Sequence, residues 1–214
     1  IKKERDPMAK TNTIITIGRQ FGSGGHEIGE KLAKKLGIKF YDKELIKLIA
    51  KQSGLCEKVL ESYDEKPTNS LLYSIVMDIY PSVMYTGPTI DQQIYQANYD
   101  TIRKLADGEP CVIVGRCADY ILRDHPELIS VVIHANSDFR AARIAEEYKL
   151  PDSKVRDMLV KTDKKRANYY NFQSEKQWGA ASSYNLCIES SAVGIDGAVD
   201  LIMDYINYKR AAQG

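Results

Sequence analysis

The stretch Gly18-Arg-Gln-Phe-Gly22-Ser-Gly-Gly25-His-Glu27 holds four glycines beside one hydroxyl and several ionisable side chains. Glycine backbone can take positive φ and come close to a ligand. Ser23, Arg19 and His26 add polar donors. The residues on either side give this loop its place. Thr13, Ile14, Ile15, Thr16 and Ile17 form a β-branched run that reads as a buried strand. After the loop, Ile28, Leu32, Ala33 and Leu36 fall on one helical face, with Glu30, Lys31, Lys34 and Lys35 opposite and Gly37 at the stop position. Strand, glycine loop and helix start together form an anion site, because free N–H groups and the positive end of the helix point to one spot.

Two phosphate-binding patterns lie near this loop. The pattern G-x-x-x-x-G-K-[ST] is met with one residue too many between Gly18 and Gly24, and with Gly25 in place of the lysine. The dinucleotide pattern G-x-G-x-x-G is met by Gly22 and Gly24, with Asp42 as its acid, but Glu27 stands at the third glycine. A tight turn without a ligand would also use glycines. Further features follow at the strand ends: Asp42 after a second short strand, and arginines suited to anions, Gly115-Arg116 after a third and Arg140 and Arg143 one helical turn apart after a fourth. Arg116 could instead pair with a helix carboxylate. Lysines and arginines continue to Arg166, so this pair of helices could either close over a polyphosphate or be a solvated, internally paired surface.

These residues need a frame. The chain has 214 residues, 43% apolar and 28% charged, with net charge +1. That suits one globular unit and offers no bulk electrostatic argument for a nucleic acid polymer or a membrane. No apolar run approaches a membrane span, and no secretory leader is read. The four cysteines (Cys56, Cys111, Cys117 and Cys187) are scattered and read as reduced core thiols of a cytoplasmic protein. The three histidines have no metal spacing, and no metal ligand is assigned. Residues 1–12 read as a flexible tail. Strands are expected at 13–17, 38–42, 110–115, 128–135 and 184–189, with helices between them. Asp42, Asn136 or Ser137, Asp152 or Ser153, and Asp196 are the expected caps. Residues 55–110 read as a helical insert on the substrate side. It holds an apolar cluster at Leu71, Leu72, Ile75 and Val76, turns at 66–69 and 85–88, and a helix from Ile90. Strands alternating with helices give an α/β fold with a parallel sheet, whose ligands sit at the carboxyl ends of the strands.

The chain resembles the P-loop nucleoside monophosphate kinases, most closely the cytidylate kinase-like group. The resemblance rests on GRQFGSGG, FYD, VIVGR, the strand and helix VVIHANSDFRAARIAEEY, DKKR, and NLCIESSAVGIDGAVDLIMDYI. It implies a three-layer P-loop kinase fold over 13–210, with a five-stranded parallel sheet, the 55–110 insert and a basic helical lid at 138–176. It also implies ATP and Mg²⁺, with nucleotides as the substrates and partners. Gly18, Arg19, Gly22, Ser23, Gly24, Gly25 and His26 would hold the donor phosphates. Asp42 and Arg116 would hold the acceptor. Arg166, with Arg140 and Arg143, would act on the transferring group. The pattern is departed from at Gly25 (for lysine), Cys117 (for the acid of G-R-D), Lys43-Glu44 (for Thr-Gly) and His26-Glu27 (for Gly-Thr).

The implied reaction is in-line phosphoryl transfer from ATP to a nucleoside monophosphate such as CMP or dCMP, catalysed by positioning and charge neutralisation. A nucleotide-binding protein with little or no turnover is the alternative, favoured by Gly25. A dinucleotide oxidoreductase is disfavoured by Glu27 and by the arginines of the lid.

Overall fold

A computed structural model describes residues 13–58, 60 and 90–213. Strands and helices alternate: β1 (Ile14–Arg19), α1 (Gly25–Leu36), β2 (Lys39–Tyr41), α2 (Glu44–Ser53), α3 (Ile90–Gly108), β3 (Cys111–Val114), α4 (Ala118–Ile121), β4 (Leu128–His134), α5 (Ser137–Tyr148), α6 (Asp152–Ser174), β5 (Leu186–Glu189) and α7 (Ser190–Gln213). The tail at 1–12, the cluster from Leu71 to Val76 and the turns at 66–69 and 85–88 lie outside the described residues. No described helix is long and apolar enough to cross a membrane.

The five strands are parallel in the order β2-β3-β1-β4-β5. The central strand, β1, sets Ile14 opposite Cys111 on one side and Leu128 on the other. Its side chains alternate between two buried layers. Ile15 and Ile17 join Ile28 and Leu32 of α1 and Ile202 and Ile206 of α7, whereas Ile14 joins Leu45, Ile49, Ile102 and Ile121 from α2, α3 and α4. Each fully buried isoleucine contributes about 1.5–3 kcal/mol by leaving water. This holds the middle of the sheet rigid and fixes where the loops at its carboxyl edge emerge.

α5 and α6 form a hairpin broken at Leu150-Pro151, with a small core of Ala141, Ile144, Val155 and Leu159. Phe21 packs into that core from the glycine loop. The basic helices therefore have an apolar reason to sit on the loop.

Three expected caps differ, and one of them is Asp152 or Ser153: Pro151 is the N-cap of α6 and no side chain caps that helix. Asp42 does not cap α2: Lys43 is the N-cap, no side chain caps the helix, and the Asp42 carboxylate turns toward the site. Asp196 does not open the last helix, which begins at Ser190 and is broken at Gly194, where φ is 72° and ψ is 174°. Asn136 caps α5, its side chain accepting from the Phe139 N–H at 2.8 Å. The cysteines are all free, but only Cys111 and Cys117 are buried; Cys56 and Cys187 are exposed, Cys187 on the edge strand β5.

Candidate active site

The loop between β1 and α1 turns at Gly22 (φ 79°) and Gly24 (φ 81°). A side chain at Gly24 would be strained there and would also run into Ile195. Gly24 is the N-cap of α1 and no side chain caps the helix, so its first-turn N–H groups face the loop's concave side. Gly25 faces Arg19: a Cβ at Gly25 would lie 2.5 Å from the Arg19 Cβ and 3.0 Å from its Cγ. The arginine stem therefore lies over the position from which a loop lysine would project.

Ser23 is fully buried. Its hydroxyl is directed at the carbonyls of Gln20 (2.8 Å) and Ile133 (3.2 Å), and its own carbonyl accepts from the Ser190 hydroxyl at 2.7 Å. The Ser23 side chain thus ties the loop to β4, and its backbone carbonyl ties it to α7.

Asp42 gathers three cationic or donor groups from three elements. His26 Nδ1 lies 2.5 Å from Oδ2, Arg116 Nη1 3.4 Å from Oδ1, and Arg19 Nη2 4.0 Å from Oδ1. Arg116 has φ 55° and is 3% exposed, and its Nη1 also donates to the Val114 carbonyl at 3.1 Å. The salt bridge considered for Arg116 thus exists, but its partner is Asp42 and not a helix carboxylate.

The arginines of the hairpin go to different places. Arg140 donates to Asp163 (2.5 Å) and to the Phe21 carbonyl (3.3 Å), while Asp163 accepts from the Phe21 N–H at 2.7 Å. Arg166 donates to the Arg19 carbonyl at 3.2 Å and lies over the Phe21 ring, 5.7 Å from its centre. Asp163 pairs with Arg140, not with Arg166. Arg143 leans back to Glu27 at 2.9 Å, and Lys31 meets the same carboxylate at 3.3 Å. Burial works to raise the Glu27 pKa, but the hydrogen bonds from Arg143 and Lys31 outweigh it and hold the carboxyl below its usual value. Among the described residues, no three His, Cys, Asp or Glu side chains stand together as a metal site.

Beside the loop, a cleft opens at the carboxyl ends of β1 and β3. Arg19, Arg116 and Arg166 line it, and aromatic residues of α6 and of the segment before β5 wall it. Its far side carries Asp119, 9% exposed, whose Oδ2 accepts from the Tyr170 hydroxyl at 2.6 Å. Sequence patterns single out neither Asp119 nor the aromatic wall, and they place Asp163 only on one helix face with Arg166. Asp119 stands two residues beyond the position where the family's G-R-D motif has its acid, and Asp163 opens the D-x-x-R motif. Those were the signals available.

The family model described as the cytidylate kinase-like family matches residues 14–192. An uncharacterised protein from Eubacterium ventriosum, known from its crystal structure, is 34% identical, with a TM-score of 0.70 over 91% of this chain and 98% of that one. More distant structures share the fold. A shikimate kinase from Bacteroides thetaiotaomicron is 15% identical (TM-score 0.51, 91% of this chain and 98% of that one). A gluconokinase from Sinorhizobium meliloti is 16% identical (TM-score 0.50, 96% of this chain and 99% of that one). No curated protein matches the chain.

Proposed function

The chain belongs to the cytidylate kinase-like family, and from that premise we propose that it transfers a phosphoryl group from ATP to a nucleoside monophosphate of the CMP or dCMP kind. Family membership and the P-loop kinase fold support a nucleotide or small-molecule kinase. The monophosphate acceptor is the finer step. The observation that carries it is that Arg19, Arg116 and Arg166, from three separate elements, line one cleft beside an uncapped helix start. Three guanidinium groups in a partly closed cleft fit two phosphate-bearing ligands meeting end to end.

The α1 N-terminus fits the donor phosphates of ATP, which supplies the phosphoryl group when bound. Glu27 and Asp42 are each already engaged by cationic or donor side chains, so the fit for Mg²⁺ is to an ion carried on the nucleotide's own phosphates. An oxygen of the acceptor phosphate attacks the γ-phosphorus as the bond to the β,γ-bridging oxygen breaks, and ADP leaves. Arg116 holds the acceptor's charge, Arg19 lies against the loop where lysine is missing, and Arg166 offsets charge on the transferring group. The loop amides align the donor. Catalysis on this reading is positioning and charge neutralisation.

Gly25 favours one other reading, a protein that binds nucleotide without turning it over. A coupled ADP-release assay with CMP, dCMP, UMP and AMP separates the two. Saturable turnover with CMP or dCMP is expected. Tight ATP binding with no turnover on any acceptor would overturn the kinase reading and leave the binding one.

A further inference from the structure

Gly24, the N-cap of α1, is covered from two sides. Ile195 reaches it from α7, just past the break at Gly194. The Arg143 guanidinium reaches it from α5, with its central carbon 3.7 Å from where a Cβ on Gly24 would stand. Arg143 does not stand there as an open cation. Its Nη2 donates to Glu27 Oε2 at 2.9 Å, and Glu27 belongs to the first turn of α1. The other oxygen of that carboxylate lies 3.3 Å from Lys31 Nζ, and Lys31 meets Asp196 of α7 at 2.8 Å. An alternating chain of charge, Arg143–Glu27–Lys31–Asp196, thus runs from α5 across α1 to α7 along the rim of the glycine loop. It sets a carboxylate of the chain itself beside the helix start, where an anion is favoured.

Two arginines of α5 are paired, and the pairs differ in kind. Arg140–Asp163 lies within the hairpin and is mostly buried. Arg143–Glu27 crosses from the hairpin to α1, and its side chains are 36% and 39% exposed. An ion pair this exposed is weak and exchangeable. A polyphosphate offers the same guanidinium more charge and more acceptor oxygens than one carboxylate does. We propose that Glu27 is an internal anion that holds Arg143 in reserve and competes for it with the phosphates of the donor, so that the donor binds by taking Arg143 from Glu27. The inference rests on the reading that the α1 N-terminus receives the donor phosphates. Lys31, one turn on from Glu27, remains as that carboxylate's partner when Arg143 leaves, so the exchange strands no charge. The contact is autoinhibitory: apparent donor affinity is lowered by the fraction of molecules in which Arg143 stays with Glu27.

The full-length protein is titrated by calorimetry with inorganic tripolyphosphate and with ATP. The natural protein is compared with Glu27→Gln, Arg143→Ala and the double variant. Tripolyphosphate carries phosphate charge without a base or sugar, so it reads the phosphate seat alone. Glu27→Gln should bind both probes about three- to fivefold tighter, the span of an exposed ion pair released. Arg143→Ala should bind both about threefold or more weakly. On the Arg143→Ala background, Glu27→Gln should change binding by less than about 1.5-fold. This last comparison decides the matter, because a Glu27 that merely repelled phosphate would give the same gain with or without Arg143. Glu27→Ala supplies the same comparison should Glu27→Gln fail to fold. Binding unchanged or weakened by Glu27→Gln overturns the inference, and so does a gain that survives in the double variant, or a natural protein that binds neither probe. Any of these in an enzyme that turns over CMP or dCMP leaves the kinase reading standing. The expected pattern in a protein with no turnover on any acceptor supports the competition and overturns the kinase reading instead.

Discussion

A Cβ on Gly25 would stand 2.5 Å from the Cβ of Arg19. A side chain at position 25 and the observed course of Arg19 therefore exclude each other. On the proposed mechanism, Arg19 on the strand takes the role of the lysine that the helix lacks. Restoring the usual lysine should not help. Gly25→Lys is expected to displace Arg19 and lower kcat/KM by about tenfold or more, and Arg19→Ala should fall at least as far. Steady-state kinetics with ATP varied checks both. A Gly25→Lys enzyme as active as the natural one would show that Arg19 does not substitute for the lysine.

Arg166 reaches the loop through the Arg19 carbonyl and the face of Phe21. Neither of these two contacts is an ion pair. On the proposed mechanism, Arg166→Ala lowers turnover by about a thousandfold or more, with a small change in thermal midpoint. A loss of only a few-fold would remove Arg166 from the transfer step.

Arg140 is expected to behave in the opposite way. Its charge is already met by Asp163, which also takes the Phe21 N–H, and the two side chains are 13% and 16% exposed. Arg140→Ala leaves a mostly buried carboxylate without its cation, a cost of about 1–3 kcal/mol. The thermal midpoint should drop by several degrees, and amide exchange in α6 should quicken with or without ATP. An unchanged midpoint together with a large loss of kcat would return Arg140 to the chemical step.

Asp119 gives a pH signature. Burial raises its pKa, and the Tyr170 hydrogen bond and the Lys176 charge oppose this without cancelling it. A carboxyl with a raised folded pKa contributes stability below its unfolded value, near pH 3.9, and that contribution is lost as pH rises through the folded value. The natural protein should therefore be most stable relative to Asp119→Asn at the acidic end, and the difference in thermal midpoint should shrink as pH rises above about 4. A difference that stays flat, or that grows with pH, contradicts the raised pKa.

The strands and the carboxyl-edge location of the site could be read from the sequence because they rest on local signals: β-branched runs, glycines and helical periodicity. The Ile14–Ile17 run and the glycines after it are sufficient for β1 and the loop. Pairings across the fold could not be read in this way. The Asp163–Arg140 pair depends on how two helices rotate about Leu150-Pro151, and helical spacing alone favours Arg166 as the partner. The Ser23 hydroxyl points inward to the Ile133 carbonyl of β4 and the Ser23 carbonyl accepts from Ser190, both partners more than a hundred residues away in sequence. The cleft with Asp119 and Tyr184 is built from segments far apart in the chain, and no short motif marks it.

The order β2-β3-β1-β4-β5 has a further consequence during synthesis. β1 is made first and is apolar on both faces, yet neither of its neighbours exists until the ribosome has reached Val114 and then His134. At about 5–20 residues per second, both edges of the strand stay open for several seconds or more. An unpaired, uncharged run such as Ile14–Ile17 is a template for association between chains. Nascent or truncated chains that stop short of β4 should therefore depend on a chaperone to remain in solution, whereas chains that extend past His134 can close both edges themselves.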